Sequence, residues 1–125
     1  MKKENNIPSE EDFARAKKYM EERYRNLNSI EDAVKAQFSA LCPLHSLYLL
    51  AQEDVDFRMY VFFKLDKNIA ECREKGILSE LEDFVYREFE KVGRGTKNEI
   101  TVVFEYDSDE NVAANYEEDY YLRLR

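Results

Sequence analysis

A chain of 125 residues, 44% apolar and 14% aromatic, carries enough side-chain volume for one folded domain, and three Gly with two Pro exclude a long disordered linker. Its formal charge of −8 excludes a phosphate backbone as an electrostatic partner and favours a basic one. No run approaches the roughly 20 apolar residues of a membrane span.

The start, MKKENNIPSEED, has two lysines but no apolar segment behind them, so no export signal is expected. Cys42 and Cys72 stand far apart, and reduced, buried thiols in a cytoplasmic protein are the expectation. The charge is unevenly placed. Residues 98–125 hold eight acids and two arginines, so most of the excess lies in the final quarter.

Residues 1–8 read as a flexible polar arm. Ser9 with Asp12 three positions on is a capping pattern, and Phe13, Ala16, Met20, Tyr24 and Leu27 recur at spacings of three and four. They predict an amphipathic helix of about four turns that covers a core; its polar face is mixed in charge, unlike that of a membrane-surface helix. Ser29 with Asp32 repeats the pattern, and Ile30, Val34 and Phe38 predict a shorter helix that ends before Pro43. From His45 the period changes to two. Ser46, Tyr48 and Leu50 alternate with Leu47, Leu49 and Ala51; after a short polar link, Phe57, Met59, Val61, Phe63 and Leu65 alternate with Arg58, Tyr60, Phe62 and Lys64. A hairpin is predicted, with its second strand central because both faces are rich in large residues.

Asp66 predicts the N-cap of a short helix through Lys75, with Gly76 as a left-handed C-cap. Ser79 with Glu82 predicts the start of a helix on which Leu81, Val85, Phe89 and Val92 form the stripe, ending near Gly93. Ile100, Val102, Phe104 and Tyr106 predict a strand. Tyr120, Leu122 and Leu124 alternate with Asp119, Tyr121, Arg123 and Arg125 and predict another. The expected fold is a single α+β domain over residues 1–125: a two-layer domain, an antiparallel four-stranded sheet with helices packed on one face.

Recognisable chemistry is sparse. Cys42 and His45 lie close in sequence, but Pro43 intervenes and no third group orients them, so a nucleophilic pair is not predicted. One His and two separated Cys do not supply the four ligands of structural zinc. Gly93-Arg94-Gly95-Thr96-Lys97 lacks phosphate-loop spacing and precedes a strand where such a loop precedes a helix. Asp107, Asp109 and Asn111, with Glu118 at the twelfth position, match part of a calcium loop, but Val112 replaces its turn glycine. No enzyme activity, cofactor or metal is expected.

What remains is an acidic and aromatic cluster with no base between Lys97 and Arg123. Tyrosine is an amphipathic anchor common at interfaces, and clustered acids steer toward cationic partners. Tyr106, Asp107, Asp109, Glu110, Tyr116, Glu117, Glu118, Asp119 and Tyr121 are therefore the expected partner-binding residues, with their carboxylates solvated and dispensable for folding.

The run Asp107-Ser108-Asp109-Glu110-Asn111-Val112, then Asn115-Tyr116 and Tyr120-Tyr121-Leu122-Arg123, resembles the C-terminal tails of small bacterial immunity proteins that protect cells from polymorphic or contact-dependent toxins. The resemblance covers the tail of the chain and brings no catalytic residue. It implies a cytoplasmic inhibitor that binds a cognate basic toxin, often a nuclease, and blocks its active site. The expectation is thus a non-enzymatic binding protein, with no nucleic-acid or membrane partner. The rivals are a homo-oligomeric structural or regulatory module, a homodimer in the simplest case, and an enzyme whose carboxylates assemble only in three dimensions.

Overall fold

The structure, a computed structural model, describes residues 9–124; the expected polar arm over 1–8 lies outside the described residues. In chain order the elements are α1 (Glu10–Arg23), α2 (Leu27–Phe38), β1 (Leu44–Ala51), β2 (Asp56–Phe63), α3 (Asp66–Glu74), α4 (Ile77–Lys91), β3 (Thr101–Ser108), α5 (Asp109–Asn115) and α6 (Tyr120–Leu124).

The α+β class holds, but the sheet has three strands, not four, and they are not all antiparallel. β1 pairs antiparallel with β2, and β2 pairs parallel with β3, from Asp56 beside Thr101 to Phe63 beside Ser108. A parallel partner needs a long crossover, which α3 and α4 supply. The predicted fourth strand is the helix α6. Asp119 decides this locally: its Oδ1 accepts the backbone N–H of Tyr121 at 2.9 Å, as a helix cap does. Tyr120, Arg123 and Leu124 then face inward while Tyr121 and Leu122 face out, a spacing of three and four that a five-residue helix barely has room to display.

Helices also cover both faces of the sheet, not one. On the first face, Leu47 and Leu49 of β1, Phe57, Met59, Val61 and Phe63 of β2, and Val102 of β3 meet Ile30, Val34 and Phe38 of α2 and Leu81, Val85 and Phe89 of α4. Phe57 and Phe89 pack with ring centroids 4.7 Å apart. Each large side chain buried this fully contributes about 1.5–3 kcal/mol of transfer free energy. On the second face, Tyr60, Phe62 and Val112 are buried, with Tyr48, Leu50, Tyr116, Tyr120 and Leu124 around them. A sheet residue shift of one changes faces, so Tyr60 and Phe62 necessarily required this second cover.

The helix starts vary in their fidelity to the capping patterns. Ser9 and Asp12 form the reciprocal box at α1. α2 and α4 instead begin two residues before the predicted serine caps, after Asn26 (φ 66°) and Gly76 (φ 75°), both left-handed. Both outer strand edges carry side-chain partners. Glu31 Oε2 accepts Leu49 N–H of β1 at 2.6 Å, and Val102 N–H of β3 donates to the Tyr86 hydroxyl at 3.1 Å. No helix of the described residues is long and apolar enough to cross a membrane.

Candidate functional site

The second face is organised by Arg123. Its Nε pairs with Asp107 and its guanidinium carbon lies 5.6 Å from the Tyr60 ring, 5.9 Å from Phe62 and 5.8 Å from Tyr116. Glu105 lies 3.8 Å away on the same guanidinium and 2.5 Å from the Arg58 amino group. Arg123 and Asp107 are 17% and 13% exposed, so this ion pair stands largely out of water. Burial disfavours the Arg123 charge, but the hydrogen bond and charge of Asp107 outweigh it and hold the guanidinium more basic than usual. The carboxylate of Asp107 also accepts the Asn111 side-chain amide at 3.0 Å and the Ser108 backbone N–H at 2.8 Å.

The acids of β3 are therefore compensated, contrary to the expectation of free, solvated carboxylates. The compensating charges, Arg58 and Arg123, come from β2 and from α6, the helix that stands in place of the predicted fourth strand. This arrangement also answers the calcium-loop pattern: Asp107 is engaged by Arg123 and Asn111, and among the described residues no group of His, Cys, Asp and Glu gathers as a metal site.

The other predicted residues separate into four places. Tyr106 points to the first face, where its hydroxyl donates to Glu82 Oε2 at 2.6 Å; burial, then that bond, pushes the phenol above its ordinary range. Asp109 accepts the Tyr120 hydroxyl at 2.7 Å, and Glu110 accepts Asp66 N–H at 2.9 Å, tying α5 to the start of α3. Tyr116 is half-buried over Arg123. The remaining four gather at the turn between α5 and α6. Glu117 (φ 55°) and Glu118 (φ 64°) are consecutive, exposed and left-handed; Asp119 caps α6, and Tyr121 is 75% exposed.

One neighbour escaped sequence reasoning. Leu44 faces Phe63 but Ser46 faces Phe62, so His45 is the extra residue of a bulge in β1. Its Nδ1 lies 3.0 Å from the Tyr120 hydroxyl, its Nε2 3.5 Å from Asp109, and its ring stacks on Tyr120 at 5.7 Å. The Tyr120 hydroxyl thus sits between the Asp109 carboxylate and His45 Nδ1, within hydrogen-bond distance of both. Burial first, and Asp109 second, push the Tyr120 phenol up, so it is a fixed neutral donor at neutral pH. The group latches α6 to β1 across 75 residues of chain. Cys42 belongs to the first-face core instead: both cysteines are buried and unbridged, and burial pushes the Cys42 thiol up to about 12.

Two open concavities lie elsewhere. One, of about 410 Å³, is lined by Tyr19, Glu22, Arg23, Arg25, Asp54 and Arg94; a smaller one, of about 210 Å³, lies along α4 between Asp83, Tyr86, Arg87, Glu90 and Lys97. Comparison of the chain with protein-family models, characterised proteins and solved structures finds no match.

Proposed function

We propose that the protein is a non-enzymatic inhibitor that neutralises a basic protein toxin, a nuclease by preference, through the turn between α5 and α6. The observation that carries this reading is the pair of left-handed glutamates beside exposed Tyr121 and Leu122. A non-glycine residue in that conformation costs on the order of 1 kcal/mol, and strain of this kind concentrates where it presents groups for binding. Here it presents Glu117 and Glu118 outward, next to the carboxylate of Asp119 and an aromatic anchor. Charge supplies steering and the tyrosine supplies apolar area to desolvate. The surface is narrower than the full set of acids, because Asp107, Glu105 and Asp109 have intramolecular partners.

The test is the affinity for a cationic nuclease toxin recovered with the protein from its native cell, measured at low and high salt. Wild-type affinity is expected to fall steeply with salt, and Glu117→Lys with Glu118→Lys and Tyr121→Ala to weaken binding by at least about a hundredfold, the loss of roughly 3 kcal/mol at hot-spot positions. Unchanged affinity in that variant, with its melting temperature retained, would remove the turn from the interface.

A further inference from the structure

At the end of the sheet away from α5, the helix α1 buries none of its residues. Phe13 is 62% exposed and Met20 46%, and Tyr19 and Tyr24 are also exposed. With Val55 in the adjacent β1–β2 turn, reached through the Tyr19–Asp54 hydrogen bond of 3.2 Å, they make up half of the large exposed apolar side chains among the described residues. An amphipathic helix whose apolar stripe meets water has its partner outside its own domain.

The charges of the same helix identify that partner. Its first turn is acidic, with Glu10, Glu11 and Asp12. Its other end is basic: Arg23, Arg25 and Arg94 line the 410 Å³ concavity, and none has a carboxylate within 4 Å among the described residues. Arg94 donates to the carbonyls of Arg25 at 2.6 Å and Arg23 at 2.8 Å, which fixes its guanidinium at the end of α1. The Nε of Arg23 is buried with no acceptor among the described residues. Burial, and then the charge of Arg25, make Arg94 less basic than usual, so the cations are held together against repulsion. Glu22 and Asp54 share the concavity, and Asp54 is engaged by Tyr19.

We infer that α1 is a homodimerisation helix, packing antiparallel against α1 of a second copy so that the acidic first turn of each lies in the arginine-lined concavity of the other. The pairing is self-complementary, as a two-fold interface requires. With Ala16 opposite Met20 of the second copy, Phe13 falls near its Tyr24, and residues 10–13 lie beside its residues 23–26. Ala16, the small residue of the stripe, permits close approach of the two axes. The helix is 14 residues long, about 21 Å, which places this interface in the small class below roughly 1,200 Å². The dimer is therefore weak and concentration-dependent. It leaves the turn between α5 and α6 free, because Tyr120 beside that turn reaches His45 opposite the end of β2, whereas α1 reaches Asp54 before the start of β2.

Sedimentation of the full chain from about 1 μM to about 1 mM is expected to show a monomer–dimer equilibrium. Met20→Glu should make the chain monomeric, and Glu10→Lys with Glu11→Lys, or Arg23→Glu with Arg25→Glu, should each weaken self-association by at least about tenfold. Mixing those two charge variants should restore the dimer, now as a heterodimer. Hydrogen exchange of the wild type at the two concentration extremes needs no variant: α1 amides should gain protection at the higher one. A monomer throughout overturns the inference, as does a dimer indifferent to Met20→Glu, or charge variants that do not recover on mixing. A wild-type monomer that binds phosphatidylglycerol vesicles, or that inorganic phosphate stabilises through Arg23, would also overturn it and give the surface to an anionic ligand.

Discussion

At the residue scale, Arg123 changes the meaning of the acids around it. Sequence shows eight acids in the last 28 positions and no base between Lys97 and Arg123, which reads as an unrelieved negative surface. In space, one guanidinium under three aromatic rings takes Asp107 and approaches Glu105, while Arg58 takes the rest of Glu105. Such a pair contributes modestly when intact and costs much more when half of it is removed, since the remaining charge stays out of water. Asp107→Ala is therefore expected to destabilise the fold by about 2–3 kcal/mol, and Asp107→Asn by less, because the amide oxygen still accepts from Arg123. Urea unfolding of both variants checks this; a loss below about 0.5 kcal/mol for the alanine would mean that water reaches Arg123 freely.

At the element scale, the strands of the hairpin were legible because their alternation is long and their cores are unambiguous: Leu47 and Leu49, then Phe57, Met59, Val61 and Phe63. The central place of β2 was legible too, from Tyr60 and Phe62 on its other face. The tail was not. Tyr120-Tyr121-Leu122-Arg123-Leu124 alternates well enough to imitate a strand, and five residues are too few for helical periodicity to compete. The signals that were present are caps. Ser108 accepts Asn111 N–H at 2.9 Å to begin α5, and Asp119 begins α6. The proposed site was legible in composition at Glu117, Glu118, Asp119 and Tyr121, but no sequence pattern announces consecutive left-handed glutamates. That backbone gives a test. Glu118→Gly is expected to stabilise the protein by up to about 1 kcal/mol, since glycine takes φ 64° without strain, and to weaken partner binding by removing a carboxylate. Thermal stability and affinity for the proposed partner should move in opposite directions; a lower melting temperature would show that the Glu118 side chain is needed by the fold.

At the scale of the whole molecule, the two ends of the chain differ in what they do for the sheet. α1 buries no residue and touches the domain through Tyr24, whose hydroxyl donates to the Ala51 carbonyl at 3.3 Å, through the Tyr19–Asp54 bond, and through Arg94. The C-terminal helices cover Phe62, which meets Tyr120 at 4.7 Å between ring centroids, and they bring Arg123 to Asp107. Removal of the two ends should therefore have unequal consequences. A chain lacking residues 1–23 is expected to fold with a melting temperature within a few degrees of the full chain, because none of residues 10–23 is buried and Arg94 keeps the Arg25 carbonyl. A chain ending at Asn115 loses Tyr116, Tyr120, Arg123 and Leu124 from the second face and leaves Asp107 without its cation. It uncovers Phe62 and Tyr60 on a central strand and strips the latch on His45. The loss of several half-buried apolar groups and one largely buried charge pair, each on the order of 1–3 kcal/mol, is comparable with the whole margin of about 5–15 kcal/mol by which a domain of this size is stable. That truncation should abolish the cooperative thermal transition and bind a hydrophobic dye. A truncated chain that melts cooperatively near the wild-type temperature would show that the tail rests on the sheet without supporting it, and the coupling between the turn that joins α5 to α6 and the core would be lost with that result.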